Sequence, residues 1–171
     1  MSENPPPRDD HVVVVVEIPR GSRNKYEFDE ELNAIVLDRR LFTSTVYPAD
    51  YGFIDGAMGE DGDPLDALVL VEDATFPGCR IRARVVAVFH MVDEKGPDDK
   101  VVCVPHRDPM WSDIQDVDDI HEALRAEIEQ FFRVYKQLEG HLTETAGFSD
   151  RDEALRILAA ARERIGSSPS G

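Results

Sequence analysis

The segment DGDPLD places three carboxylates, Asp61, Asp63 and Asp66, within six residues, just ahead of the apolar run Leu68 to Val71. Gly62 and Pro64 between them force a tight loop, so the acids cannot spread apart as they would along a helix. Carboxylates crowded in this way repel one another, and they are tolerated when hard cations sit among their oxygens, as in Mg²⁺ and Ca²⁺ sites. An isolated Asp-x-Asp is more often an acidic surface turn. An EF-hand does not fit: Asp61, Asp63 and Glu72 fall at its first, third and twelfth positions, but the fifth is Leu65 and the sixth, which should be Gly, is Asp66.

Further acids and bases surround this loop in the chain. Glu17 ends a valine run, and Lys25 and Glu27, two apart, would share one face of a strand. Arg39 follows, then Tyr47 and Tyr51 around Pro48 and Gly52, then Asp93, Asp98 and Lys100, and finally Tyr135 and Lys136. Taken singly, each reads as a surface ion pair or a core aromatic. Arginine outnumbers lysine fifteen to four, and three of the four lysines, Lys25, Lys100 and Lys136, lie beside these clusters, leaving only Lys95 outside. A compact ammonium is a good partner for phosphate oxygens.

The elements that must position these groups change character along the chain. Short β-like runs come first: Val12 to Ile18, Lys25 to Phe28, Ala34 to Leu37, Leu65 to Val71, Arg80 to Val92 and Lys100 to Val104. Arg80, Arg82 and Arg84 alternate with Ile81, Ala83 and Val85, the pattern of a half-buried strand with a solvated arginine face. After Asp116, Ile120, Leu124, Ile128, Phe131, Phe132, Tyr135 and Leu138 recur at three and four and predict an amphipathic helix, with Asp119 and Glu122 as its capping pair and Gly140 as its stop. A second helix is expected from Ser149, with Asp152 three later, burying Leu155, Leu158 and Ile165. Strands first and helices last is not the alternation of a parallel βαβ sheet; it suits a small antiparallel barrel or sandwich with helices outside.

The whole chain of 171 residues carries 35 acidic and 19 basic side chains, a net charge of −16, with 42% hydrophobic residues. This bounds the function. One packed domain is expected over residues 11–165, between flexible tails at 1–10 and 166–171. The acidic excess repels nucleic acid and anionic membranes, so neither is expected as a partner, and an anionic small substrate would need a metal ion. Cys79 and Cys103 sit in apolar strand-like runs and are expected to be buried thiols in a reducing compartment. Val12 to Val16 is broken by Glu17 before it could serve as a secretory signal, and no run approaches a membrane span, so a cytoplasmic location is expected.

Read together, the ordered pieces VEIPRGSRNKYEFD, LDRRLFTSTVYPADYGFI, DGDPLDALVL, MVDEKGPDDK and FFRVYKQLE, from Val16 to Glu139, resemble the soluble family I inorganic pyrophosphatases of bacteria. The resemblance implies a mainly β (α+β) fold, a five-stranded OB-type antiparallel barrel with flanking C-terminal helices. It also implies hydrolysis of pyrophosphate with several Mg²⁺ ions per site, and commonly a homo-hexamer. By position in those motifs, Asp61, Asp66 and Asp98 resemble ligands of the tighter metals, with Asp66 shared. Asp93 and Asp98 resemble ligands of a metal arriving with substrate, and Glu17 and Glu27 outer carboxylates near the metals. Lys25, Arg39, Lys100, Tyr135 and Lys136 resemble the phosphate-holding set, Tyr51 the tyrosine beside the nucleophile, and Asp63 the general base. Lys95 takes no role, and the chain departs from its relatives mainly after Glu139.

On this reading a water activated between two Mg²⁺ ions attacks phosphorus without a covalent intermediate. Ser22, Ser44 and Ser112 lack a neighbouring His and Asp that would suggest a triad. Two other classes compete: a metal-dependent nuclease or nucleotide phosphohydrolase, which would need a base or ribose pocket, and a non-catalytic OB-type module, which would need a basic groove.

Overall fold

The computed structural model describes residues 9–167; the expected tails therefore lie outside the described residues, save for Asp9, Asp10, Gly166 and Ser167. Its strands are β1 (His11–Ile18), β2 (Asn24–Asp29), β3 (Ala34–Arg40), β4 (Asp50–Met58), β5 (Pro64–Val69), β6 (Arg80–Asp93), β7 (Gly96–Pro97), β8 (Lys100–Pro105) and β9 (Glu144–Ser149). Helix α1 (Glu122–Val134) precedes β9, and α2 (Arg151–Gly166) ends the fold. Strands β1, β4, β5, β8 and β6 pair in that order, and β6 returns to β1, closing a five-stranded barrel. The expected barrel with C-terminal helices is present. One pairing departs from antiparallel: β5 and β8 run parallel, which the long excursion through β6 and β7 makes possible. Strands β7 and β9 extend β6, while β2 and β3 form a separate hairpin.

Alternation along the strands divides the core in two. On β5, Leu68 joins a cluster with Ile128, Phe131 and Phe132 of α1, while Ala67 and Val69 join another with Ala154, Leu158 and Ala161 of α2. On β8, Val102 and Val104 face the α1 cluster and Val101 and Cys103 the α2 cluster. Every second residue of these strands therefore looks towards one helix or the other.

Several sequence expectations shift. Strands β4 and β9 were not anticipated, because glycines and charged residues interrupt their apolar pattern. Helix α1 stops at Val134 with Tyr135 as its cap, and Gln137–Glu139 is a separate 3-10 turn closed by Gly140 at φ 82°, which leaves Leu138 exposed. Asp119 instead completes a capping box with Asp116 around the preceding 3-10 turn, and His121 caps α1. Asp150, rather than Ser149, caps α2, its carboxylate accepting from the Glu153 N–H, and Ile165 lies exposed. Cys103 is buried, its thiol pushed up to about 12 by that burial, but Cys79 is half-buried and lies just before β6. Arg80 and Arg82 are exposed, whereas Arg84 donates to the Ile114 carbonyl at 2.8 Å. Asp10 is buried and accepts from Arg151 Nη2 at 2.6 Å, so it packs with the fold.

Candidate active site

The alternation that splits the core also aims the charges. Lys100 shares the face of Val102 and Val104, and Asp66 that of Leu68, so both point towards the aromatic side of α1. Lys100 is 1% exposed, and its Nζ donates to Asp66 Oδ2 at 3.0 Å, Asp98 Oδ2 at 3.1 Å and the Tyr51 hydroxyl at 3.1 Å. The same nitrogen stands 5.1 Å from the Tyr51 ring centre and 5.3 Å from that of Phe132. Tyr51 reaches this position because Gly52 lets β4 press against β1: a Cβ there would lie 1.9 Å from the Val15 carbonyl oxygen.

Burial dominates the electrostatics. It pulls the Lys100 ammonium down, but Asp66 and Asp98 outweigh it and hold the lysine above its ordinary value. Burial pushes Asp66 up to about 6 against the pull of Lys100, with Asp98 adding to the rise. Asp98 moves the other way, because Lys100 and the Asp66 carboxyl overcome its burial, so Asp66 is the member of the pair that takes up a proton first as pH falls. Glu17 is pushed to about 7 by burial, offset in part by the Phe28 N–H that donates to it at 2.9 Å, with Asp66 raising it further. The Tyr51 and Tyr135 hydroxyls are raised by burial as well, so both remain protonated donors.

A cleft of about 280 Å³ opens beside this cluster and is lined by Asp61, Asp63, Asp66, Asp93 and Asp98, and also by Asp99, which sequence reasoning did not single out. All five carboxylates expected as metal ligands or base, other than Glu17 and Glu27, thus meet on one wall. Gly62, at φ 86°, turns the loop so that Asp61 Oδ1 accepts from the Asp63 N–H at 3.0 Å, leaving Asp63 exposed. Asp93 closes its own turn by accepting from the Lys95 N–H at 2.8 Å. Lys95, given no role from sequence, also lines the cleft, as do Arg156 and Arg164 of α2.

The cationic set lies off that cleft. On the hairpin, Lys25 Nζ stands 3.3 Å from Asp38 and 3.6 Å from Glu27. Arg39 donates through Nε to Glu139 Oε1 at 2.5 Å and through Nη1 to Asp38. Tyr135 is buried at the end of α1, and Lys136 Nζ lies 5.3 Å from its ring centre. Sequence reasoning missed Asp38 and Glu139. Asp38 adjoins Arg39 and could have been suspected, but Glu139 is a hundred positions away and only folding reveals it.

Among the described residues no three metal-ligating side chains stand close enough to enclose an ion as placed; Lys100 fills the space between Asp66 and Asp98. The donors are nonetheless suited to a hard cation. All are carboxylate oxygens, and the upward shifts of Glu17 and Asp66 show a buried cluster short of positive charge.

Residues 14–166 match the family model described as inorganic pyrophosphatase. The chain belongs to the inorganic pyrophosphatase family. The inorganic pyrophosphatase of Streptomyces coelicolor is 56% identical over 153 residues, 89% of this chain and 94% of its own length. That of Methanosarcina mazei is 47% identical over 151 residues, 88% and 89% of the two chains. The crystal structure of inorganic pyrophosphatase from Thermus thermophilus superposes with a TM-score of 0.91 at 42% identity, over 98% of this chain and 97% of that one. Membership in this family of enzymes agrees with the closed barrel and its two C-terminal helices. No helix among the described residues is long and apolar enough to cross a membrane.

Proposed function

We propose that the protein hydrolyses inorganic pyrophosphate to two orthophosphates, using Mg²⁺ ions held by the cleft carboxylates, as a cytoplasmic homo-hexamer. The observation that carries this reading is the buried Lys100 joined to Asp66, Asp98 and Tyr51 at the edge of a cleft walled by six aspartates. A carboxylate wall suits cations and repels a polyanion, so the substrate must arrive with metal. Asp61, Asp66 and Asp98 would hold the tighter ions, Asp93 with Asp98 an ion accompanying substrate, and Glu17 and Glu27 would act as outer carboxylates. When bound, the Mg²⁺ ions supply an acidified water and offset phosphate charge.

The chain's own groups do the rest. Asp63, exposed in its loop, is free to take the proton of the attacking water. Lys100 donates to the Tyr51 hydroxyl oxygen, so the phenolic O–H keeps its hydrogen to donate to substrate or water. Lys25, Arg39, Tyr135 and Lys136 donate to the phosphates and stabilise charge growing on the leaving group. Arg39 gives only Nε and Nη1 to Glu139 and Asp38, so its remaining guanidinium edge is available.

Phosphate release from pyrophosphate, ATP and an oligonucleotide, each with Mg²⁺ and with chelator, tests this reading. Release from pyrophosphate alone, abolished by chelation and restored by Mg²⁺, is expected, with Ca²⁺ inhibiting because its looser geometry misplaces the water. Equal turnover of ATP or the oligonucleotide, or turnover that survives chelation, would overturn it.

A further inference from the structure

Three side chains from three strand regions form a chain that the proposed reaction does not use. His90 Nε2 and Ser149 Oγ are 2.7 Å apart, and His90 Nδ1 and Asp99 Oδ1 are 2.9 Å apart. His90 lies on β6, Ser149 ends β9, and Asp99 immediately precedes β8. After the irregularity between Val85 and Ala87, Phe89 and Met91 face the α1 cluster while Val88 faces the α2 cluster, so His90 turns to the α2 side. Asp99, between Asp98 and Lys100, turns to the same side. Asp98 and Lys100 are thereby left facing the Asp66 cluster.

We infer that His90, braced by Ser149, is a positioning residue that holds Asp99 and so sets how Asp98 and Lys100 stand in the metal-binding cleft. The inference rests on the proposed metal-dependent reaction. The turn from Asp93 to Asp98 carries two of the proposed ligands and is narrow, with Val92 paired to Pro97 and Asp93 to Gly96. Gly96 sits at φ 113°, a freely adopted conformation only for glycine, which makes this turn easy to deform. Asp98 is tied by its own N–H to the Met91 carbonyl at 2.9 Å. The Asp99–His90 bond ties the next residue to the long central strand, and Ser149 fixes the imidazole from the other flank. Asp99 lines the α2 side of the same cleft, and with its carboxylate held there by His90 the backbone that carries Asp98 and Lys100 cannot rotate freely.

The same order of atoms serves serine nucleophiles elsewhere, but the surroundings of Ser149 suit a clamp. Asp150, Asp152 and Glu153 follow it, the Arg151 N–H is given to Asp116, and the Glu153 N–H is given to Asp150. An oxyanion would meet carboxylates there, and those two amides are already engaged.

Manganese binding to the substrate-free protein, followed by electron paramagnetic resonance, tests the clamp beside a Mg²⁺ titration of activity. His90→Ala is expected to weaken the tightest Mn²⁺ site roughly 10-fold and to raise the Mg²⁺ needed for half-maximal activity similarly, with kcat at saturating Mg²⁺ nearly unchanged. His90→Asn, whose amide nitrogen can stand in for Nδ1, should recover most of the affinity. Ser149→Ala provides the same test should His90→Ala fold poorly. A role confined to folding would lower Tm in these variants and leave Mn²⁺ affinity at the wild-type value, which overturns the inference. Labelling of Ser149 by a fluorophosphonate, absent in Ser149→Ala, would assign a nucleophile and overturn it too. Failure of the wild-type protein itself to bind Mn²⁺ or to cleave pyrophosphate would instead overturn the proposed function, and this inference with it.

Discussion

Within the DGDPLD loop, two aspartates three residues apart are expected to fail differently when neutralised. Asp63 is exposed, whereas Asp66 is bonded to the buried Lys100. Asp63→Asn keeps the size of the side chain and loses its basicity, so turnover should fall about 10²–10⁴-fold with the Mg²⁺ requirement unchanged. Asp66→Asn should raise the Mg²⁺ requirement as well as slow turnover. Activity across a Mg²⁺ titration separates them; recovery of Asp63→Asn by excess Mg²⁺ would make Asp63 a ligand. Proton linkage gives a second expectation. Glu17 at about 7 and Asp66 at about 6 bind protons in the folded protein at pH values where the unfolded chain, with values near 4.5 and 3.8, has lost them. These two groups therefore contribute a loss of stability to the metal-free protein as pH rises from about 4 to about 7, opposed by carboxylates such as Asp98 that the fold lowers. Mg²⁺ requires both carboxylates ionised, so the rise in Tm that it causes should grow over the same range and level off above it. A Mg²⁺-induced Tm shift that is flat with pH would contradict this.

At the scale of elements, the contact of β1 with β4 decides where Tyr51 stands. Gly52 lies against the Val15 carbonyl, at the place where the pairing register slips between Val16 and Ile18. Backbone atoms fill the space a methyl group would take, and neither strand can retreat without opening the barrel. Gly52→Ala is expected to destabilise the protein by about 3 kcal/mol or more, the upper end for overpacking. An unchanged urea midpoint would show that the barrel yields at this point. Helix α1 matters in a related way, because Phe132 contacts the aromatic cluster and lies beneath the Lys100 ammonium.

For the whole molecule, exposed apolar side chains bear on assembly. Leu32 and Leu37 on the hairpin region, Phe42, Phe76 and Leu142 are each more than half exposed. Such residues cost solubility in a lone chain and suit closed homo-oligomers. Light scattering of a dilute solution is expected to give six times the 19.2 kDa chain mass; a mass near that of one chain would refute the hexamer. The strong acidity has a related consequence, since an anionic protein that takes a polyanionic substrate depends on cations to reverse the local sign.

Much of the chemistry was legible in the sequence because it is written in short segments. Asp61, Asp63 and Asp66 are gathered by one Gly–Pro loop, and Asp93 and Asp98 by one tight turn, so local spacing forms each group, while the pairing of β5 with β8 brings the two groups to a common cleft. Valine-rich runs likewise marked β1 and β8, and period-two alternation marked the start of β6, where β-branched residues leave little alternative to a strand. Strand β4 escaped notice because its glycines serve close packing between strands, and the parallel β5–β8 pair because pairing partners are set across the barrel. The burial of Lys100, the raised proton affinity of Asp66, the grip of Glu139 on Arg39 and the line from Ser149 through His90 to Asp99 each depend on residues distant in the chain. Sequence supplies the charges and their local spacing; desolvation and long-range contact, which exist only once the barrel closes, decide which of them meet and which of them bind protons more tightly.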